Sequence, residues 1–183
     1  HHLTLNDTMY SKLGNKMKCN PAIKSKADQN GLWNALLDDR LDIIATDHAP
    51  HTAEEKATQY AEAPSGLPLV QHSLLLMLQH YKNGKITLER MVEKMCHAPA
   101  ICFDVTDRGF IREGYFADWV LIDQNVNFEI DQKNILYKCN WSPFEGTTFS
   151  YSVNRTFVNG NIVFENNNGI NDSILGNRLI FNR

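Results

Sequence analysis

A short apolar run that ends in a polar cluster constrains the fold of this chain more than any other feature. The run Ile43–Ala45 is followed at once by Asp47, His48 and His51. An uninterrupted apolar run ended by turn residues is typical of a strand buried on both faces, as in a parallel sheet. Barrel and open α/β enzymes carry their chemistry just beyond the carboxyl ends of such strands. We therefore predict a buried strand at 43–45 with a candidate site at its tip.

Asp47 and His51 have side chains suited to catalysis or ligand binding at that tip. A carboxylate binds a metal ion or moves a proton, and an imidazole binds a ligand, donates or accepts. The alternative is a local role, in which Asp47 or Thr46 caps the turn that follows and the histidines lie on the surface. Single Asp and His residues are common near strand ends, so composition leaves both interpretations open.

The sequence around this run predicts helices. Apolar residues recur at helical spacing from Leu32 to Leu37, and Asp28 is the predicted N-cap of a helix over 28–40. A helix that leads into a buried strand is half of an α/β repeat. A second helix is predicted over 67–81, apolar on most sides and therefore buried. A third begins after the N-cap Thr87 and is expected to break at His97–Pro99.

The second part of the chain has a β-rich pattern. We place a domain boundary near residue 105, after which short strands and turns replace the helical periodicity. The segment 117–123 is a predicted strand. Asn159-Gly160 separates two β-rich runs within 156–164, and this dipeptide is the strongest short signal for a hairpin. His72 and His80, on the second predicted helix, are expected to be structural or surface residues because no chelating residue flanks them.

Composition excludes several classes of protein. The formal charge is −3, from 21 acidic and 18 basic residues, without the basic stripe expected of a nucleic-acid-binding protein. No apolar run approaches the roughly 20 residues that span a bilayer, and no signal-peptide pattern opens the chain, so we expect no membrane association. None of the four cysteines forms a C-x-x-C pair, which argues against a structural zinc site and favours free thiols in the cytoplasm.

Several segments resemble dihydroorotase, of the amidohydrolase superfamily, in order and spacing over essentially the whole chain. The strongest is ATDHAPH at 45–51, which is similar to that family's signature. The other segments, with the family forms that they resemble, are HHLTLND at 1–7 (PHHL), KCNPAIKS at 18–25 (MNPPLRS), AEAPSGLP at 61–68 (APFGIVG), GFIREGYFADWVLID at 109–123 (G-x-I-x-x-G-x-x-A-D) and WSPFEG at 141–146 (NTPFIG). The G-x-I-x-x-G-x-x-A-D pattern at 109–123 by itself indicates only the superfamily.

The resemblance implies an α/β fold. Residues 1–105 would supply the C-terminal segments of a TIM-type (β/α)8 barrel and its following helices, and 106–183 part of a small accessory β-sandwich domain. Such a barrel needs roughly 250 residues, so we expect its earlier segments to lie outside these 183 residues. Those segments carry the family's His-x-His pair, its bridging carboxylate and two later metal histidines, to which His1 and His2 are not matched. Alone, the chain is expected to bind zinc poorly and to be inactive.

The resemblance also assigns candidate site residues. Asp47 matches the aspartate that binds one zinc ion and shuttles the proton, and Asn20 matches a substrate-binding asparagine. His51 matches the histidine that binds the substrate's carboxylate. Ser65 and Gly66 match a Phe-Gly pair that contacts the substrate ring through its backbone. Serine in place of phenylalanine is a departure that spares a backbone contact but removes any contact from the aromatic ring.

The implied activity is the reversible closure of N-carbamoyl-L-aspartate to dihydroorotate and water in pyrimidine biosynthesis. The resemblance further implies two zinc ions in the complete enzyme, a homodimer and a possible aspartate transcarbamoylase partner. One alternative is a non-catalytic dihydroorotase-like scaffold for aspartate transcarbamoylase, against which the retention of Asp47 and His51 argues. Another is a hydantoinase or allantoinase, which opens a different ring.

Overall fold

The computed structural model describes residues 1–182, which form two compact units. The first unit contains the candidate site residues and comprises His1–Leu41, Ala45–Met77 and Glu129–Thr148. The second comprises Asp42–Ile44, Leu78–Phe128 and the residues from Phe149 onward. The domain boundary near residue 105 stays a prediction.

Helices make up most of the regular structure before residue 105. The α-helices of the described residues are α1 (Tyr10–Leu13), α2 (Lys26–Leu37), α3 (Ala53–Lys56), α4 (Ser73–Lys82), α5 (Leu88–Val92) and α6 (Ala98–Cys102). Short 3₁₀ helices lie at Asp7–Met9, Gly14–Met17 and Val70–His72, and a π-helical segment at Glu93–His97 joins α5 to α6. Within residues 1–182, none of these helices has the length and apolar character that crossing a membrane requires.

Helix α2 begins before the predicted start because a capping box fixes its first turn. The Ser25 hydroxyl accepts a hydrogen bond from the Asp28 backbone N–H at 3.3 Å, and the Asp28 carboxylate accepts one from the Ser25 N–H at 3.1 Å. The prediction of Asp28 as the N-cap was therefore wrong, since it is the third helical residue. The helix buries Trp33 and Leu36, as the apolar spacing predicts.

The two other predicted helices are confirmed with changed boundaries. Leu67 lies in a bridge with His48 rather than in a helix, and α4 begins at Ser73. Thr87 caps α5 as predicted, its hydroxyl accepting from the Arg90 N–H at 3.2 Å. The predicted break at His97–Pro99 is wrong, since the π-helical segment continues directly into α6. Pro99 lies in the first turn of α6, where a missing N–H is least costly.

The predicted strand at 43–45 is absent from the structure, where residues 42–47 form neither helix nor strand. Ile43 and Ile44 are half-buried and Ala45 is exposed. The Ile44 N–H donates to the Lys94 carbonyl at 2.9 Å, a contact with the π-helical segment rather than with a neighbouring strand. A strand is defined by ladder hydrogen bonds to an adjacent strand, and residues 1–182 place none beside this run.

A four-stranded sheet lies in the later part of the chain. Its strands follow one another in sheet order as β1 (Trp119–Glu129), β2 (Thr148–Val158), β3 (Asn161–Glu165) and β4 (Gly169–Ile170). Strands β2 and β3 pair antiparallel, with Val158 opposite Asn161, and β3 pairs antiparallel with β4. Asn159 and Gly160 have φ values of +51° and +80°, as the predicted hairpin turn requires. The strand predicted at 117–123 is confirmed as the start of β1.

The core of the first unit includes a fully buried histidine. The Nδ1 atom of His72 lies 3.1 Å from the Ser142 hydroxyl and 3.5 Å from the Tyr137 hydroxyl, which accepts a hydrogen bond from the Gln71 backbone N–H at 2.9 Å. Burial lowers the pKa of His72 to about 4 and raises that of Tyr137 to about 12. This cluster joins the Val70–His72 turn to residues 137–142, so the structural role predicted for His72 is confirmed.

Candidate active site

Asp47 is exposed and its carboxylate accepts no hydrogen bond from residues 1–182. Its backbone lies in the left-handed region, with φ +51°, which Asp tolerates better than most residues. The capping role is wrong for both Asp47 and Thr46, because Thr52 caps α3 in a capping box with Glu55. The carboxylate of Asp47 is therefore available to a metal ion or to a proton.

His51 is held on both its backbone and its ring. The Trp141 indole N–H donates to the His51 carbonyl at 2.8 Å, and Trp141 is buried. The imidazole Nε2 lies 3.2 Å from the Ser65 carbonyl, and Nδ1 lies 3.7 Å from a Glu55 carboxylate oxygen. A carbonyl accepts and does not donate, so the hydrogen bond to Ser65 places a proton on Nε2. Its side chain keeps 29% exposure and can still meet a ligand.

Gly66 occupies a position that other residues fit poorly. Its φ is +141°, and an added Cβ would lie 2.3 Å from the Ala49 carbonyl oxygen. The Gly66 N–H donates to the Lys18 carbonyl at 2.9 Å. Lys18 lies two residues before the exposed Asn20, and Ala49 lies two residues after Asp47. The hydrogen bond to Lys18 and the close approach to Ala49 therefore bring the segments of Asn20, Asp47 and Gly66 together. The first unit thus brings together the segments that carry every candidate site residue predicted from the sequence.

His48, in contrast, has a structural role. Its Nδ1 atom accepts hydrogen bonds from the backbone N–H groups of Leu69, at 2.9 Å, and Val70, at 3.3 Å. The Ala49 N–H also donates to the Leu67 carbonyl at 3.1 Å. These bonds fix the DHAPH segment against residues 67–70, so His48 orients the loop on which Asp47 and His51 lie.

The structure adds a group of metal-ligating side chains that the sequence analysis missed. One donor atom each of His1, His2 and Cys19 lie within 4.8 Å of one another. Both ring nitrogens of His1 are buried without a hydrogen-bond partner among residues 1–182, an arrangement that costs free energy unless a ligand pairs with them. Imidazole and thiolate are ligands that zinc prefers. The signal in the sequence is the adjacent His1-His2 pair, which lies outside the ligand set that the resemblance implies.

Electrostatics connect this group to Asp47. Burial lowers the pKa of His2, whereas the negative charge of Asp47 acts in the opposite direction. Burial likewise raises the pKa of the Cys19 thiol, and the thiol donates to the Pro21 carbonyl at 3.2 Å. Burial thus favours the neutral form of the His2 imidazole, which is the form that binds a metal.

Comparison with protein families matches the amidohydrolase family model to residues 2–163. This chain belongs to the amidohydrolase family. Among curated members, it is 35% identical over 165 residues to dihydroorotase of Clostridium acetobutylicum, which covers 90% of this chain and 39% of that protein. It is 38% identical over 166 residues to dihydroorotase of Bacillus pumilus, covering 90% and 39%. The chain thus spans 39% of the length of these amidohydrolase relatives.

Solved amidohydrolase structures share the fold. L-Hydantoinase from Arthrobacter aurescens matches with a TM-score of 0.82 and 29% identity, over 90% of this chain and 38% of that chain. Dihydropyrimidinase from Brevibacillus agri matches with a TM-score of 0.81 and 25% identity, over 91% and 38%. These neighbours have the amidohydrolase TIM-barrel fold, and this chain has the fold of the corresponding part. Amidohydrolases are generally metal-dependent, with which the orphaned imidazole of His1 is consistent.

Proposed function

We propose that this chain supplies part of the active site of a zinc-dependent dihydroorotase, which interconverts dihydroorotate and N-carbamoyl-L-aspartate. The observation that carries the proposal is the exposed Asp47 carboxylate, which accepts no hydrogen bond from residues 1–182 and whose charge acts on the His1, His2 and Cys19 group. Identity of 35–38% to curated dihydroorotases over 90% of the chain supports this choice of reaction.

The residues present fit a zinc ion. Asp47, the ligand that the family resemblance implies, and His1, whose ring nitrogens have no partner among residues 1–182, would hold it, and His2 and Cys19 offer further donor atoms close to His1. When bound, zinc acts as a Lewis acid, which polarises an amide carbonyl and lowers the pKa of water. The family resemblance implies two ions in the complete enzyme, with the remaining ligands on segments other than these 183 residues.

Asp47 is the proposed proton carrier. Ring opening adds water across the cyclic amide, so the carbon–nitrogen bond breaks, a carboxylate forms and the nitrogen gains a proton. A carboxylate next to the attacking water accepts its proton and returns it to the departing nitrogen. Asp47 has a left-handed backbone conformation. It lies on a loop that His48 anchors to residues 67–70, and this anchoring fixes the position of the carboxylate.

The substrate is an anion, so its recognition requires hydrogen-bond donors. We propose that the imidazole of His51 and the amide of Asn20 supply them, and that Ser65 and Gly66 approach the ring through the backbone. For His51 this requires the Nε2 proton to turn from the Ser65 carbonyl to the substrate, a contact that the exposed part of the ring allows. The N–H of Gly66 already donates to the Lys18 carbonyl. A substrate contact at this turn must therefore come from backbone atoms other than this N–H.

The test is hydrolysis of dihydroorotate by the full-length, zinc-loaded protein and by its Asp47→Asn variant. Loss of the proton carrier is expected to lower kcat by about 10²-fold or more. Asp42→Asn is the matched control, an exposed aspartate five residues away that should keep wild-type kcat. Equal rates for wild type and Asp47→Asn would show that Asp47 moves no proton.

A hydantoinase-type activity is the second candidate, favoured by the TM-score of 0.82 to L-hydantoinase. Hydantoin and dihydrouracil lack the ring carboxylate of dihydroorotate, and allantoin is also uncharged. Turnover of each by the same enzyme separates the candidates, because a site built for dihydroorotate should reject rings without the carboxylate. Preference for hydantoin or dihydrouracil would overturn the dihydroorotase assignment and retain the cyclic amidohydrolase.

A further inference from the structure

Lys56, at the end of α3, is buried to an unusual degree for a lysine. Its residue exposure is 2%, whereas lysines are almost never fully buried unless paired. In the part of the chain that the structure describes, no carboxylate pairs with it. Burial lowers its pKa. A side chain with this desolvation cost persists in the native state because specific contacts offset it.

The contacts are three backbone carbonyls. The Lys56 ammonium donates to the carbonyl oxygens of Lys18 at 2.9 Å, Pro64 at 2.9 Å and Gly66 at 3.0 Å. An ammonium has three N–H donors, so all three are used and the charge is solvated by peptide dipoles. Removal of the ammonium would leave the Gly66 carbonyl, which is buried, without this donor.

These carbonyls belong to the two loops of the proposed substrate site. Lys18 lies two residues before Asn20, and Pro64 and Gly66 flank Ser65. Lys56 therefore joins the Asn20 loop to the Ser65–Gly66 turn, and the bond from the Gly66 N–H to the same Lys18 carbonyl closes the arrangement.

Additional contacts fasten the same two loops a few residues away. The Lys18 ammonium donates to the Tyr60 carbonyl at 2.5 Å, and the Asn15 amide donates to the Thr58 carbonyl at 2.6 Å. These bonds lie on the surface, where water competes with them, whereas those of Lys56 are part-buried or buried. The bonds of Lys56 are therefore less open to competition from water than these two surface bonds.

We propose that Lys56 is a positioning residue for substrate binding, because its ammonium holds the Asn20 loop and the Ser65–Gly66 turn at the separation that the substrate ring requires. The proposal rests on the proposed function. Lys56 acts through the two loops, since its three donors are directed at backbone carbonyls. Substrate affinity should depend on it more than the chemical step, which is assigned to Asp47.

The test compares Lys56→Met and Lys56→Arg in the full-length, zinc-loaded enzyme, with dihydroorotate as substrate. Methionine keeps the length and apolar stem but has no donor. We expect its KM to rise about tenfold or more, equivalent to about 1.4 kcal/mol, with a much smaller change in kcat. Arginine keeps the charge in a planar group that cannot direct three donors to one point, so it should restore part of the affinity. Lys12→Met, at an exposed lysine of the same unit, is the control.

Two further readouts test whether Lys56 acts through the two loops. Hydrogen exchange at the Gly66 amide should be faster in the Lys56 variants, because the turn loses its link to Lys18. A double-mutant cycle on KM with Asn20→Ala should be non-additive, because both changes affect one loop. A folded Lys56→Met enzyme with wild-type KM and wild-type Gly66 exchange overturns the proposal. If methionine prevents folding, the same result for Lys56→Arg overturns it.

Failure of the proposed function gives a different result. A wild-type enzyme that does not hydrolyse dihydroorotate refutes the dihydroorotase assignment before any Lys56 variant is measured. Exchange at Gly66 then decides the part played by Lys56, since this amide reports on the joined loops whichever ring the enzyme accepts. Faster exchange in the variants would show that Lys56 joins the two loops even though the substrate assignment has failed, and unchanged exchange would refute the link itself.

Discussion

Replacing Gly66 by alanine should destabilise the protein strongly. The φ of +141° is one that residues with a Cβ rarely adopt, and the added Cβ would lie 2.3 Å from the Ala49 carbonyl oxygen and 2.7 Å from the Ala49 Cβ. A backbone outlier of this kind costs about 1–3 kcal/mol, and overpacking at a buried position costs about 1–3 kcal/mol. Gly66→Ala should therefore lower the free energy of unfolding by about 2–6 kcal/mol, much of the stability of a typical domain.

Urea unfolding monitored by circular dichroism measures this loss, with Gly31→Ala as the matched control. Gly31 lies inside α2, and an added Cβ there meets no atom within 4 Å. Alanine is the better helix former, so this variant should gain about 0.5–1 kcal/mol. The same Gly-to-Ala substitution is thus expected to lower the free energy of unfolding at position 66 and to raise it at position 31. A Gly66→Ala protein as stable as wild type would show that the turn relaxes freely and that close approach to Ala49 does not matter.

Two other predictions concern buried side chains of the first unit. Because burial lowers the folded-state pKa of His72 to about 4, the unfolded chain binds a proton between about pH 6.5 and pH 4 that the folded chain does not. The free energy of unfolding should therefore fall by up to about 3 kcal/mol as the pH drops through that range, and His72→Gln should flatten the decline in urea titrations. Trp141→Phe removes the indole donor to the His51 carbonyl. The KM for dihydroorotate should therefore rise several-fold while the zinc content stays unchanged. An unaltered KM would show that Trp141 does not contribute to substrate binding.

Local chemistry accounts for the parts of the fold that the sequence predicts correctly. Thr87 caps α5 through a bond to a residue three positions away, and Asn159-Gly160 turns the chain between strands that are neighbours in sequence. The boundary errors are also local. Ser25, not Asp28, caps α2. The two residues have the spacing of a capping box, in which the hydroxyl residue is the N-cap and the acidic residue three positions later bonds back to it.

The failed prediction at 43–45 has a non-local cause. An apolar run indicates a buried segment, but a strand also requires an adjacent strand with matching backbone donors and acceptors. The described residues place the Lys94 carbonyl there instead. The pattern of apolar residues indicates that a segment will be buried. It does not indicate which part of the chain will hydrogen-bond to its backbone.

The candidate site divides in the same way. The type and order of Asp47, His51, Asn20, Ser65 and Gly66 are read from the sequence motifs, and their assignment to catalysis and binding stays a prediction. The grouping of His1 and His2 with Cys19, and the convergence of three carbonyls on Lys56, involve residues up to 38 positions apart. The sequence by itself determined the family, the N-cap of α5, the hairpin and the chemical types of the site residues. Tertiary structure alone decided which loops meet and which polar atoms are buried, because both depend on contacts between segments distant in sequence.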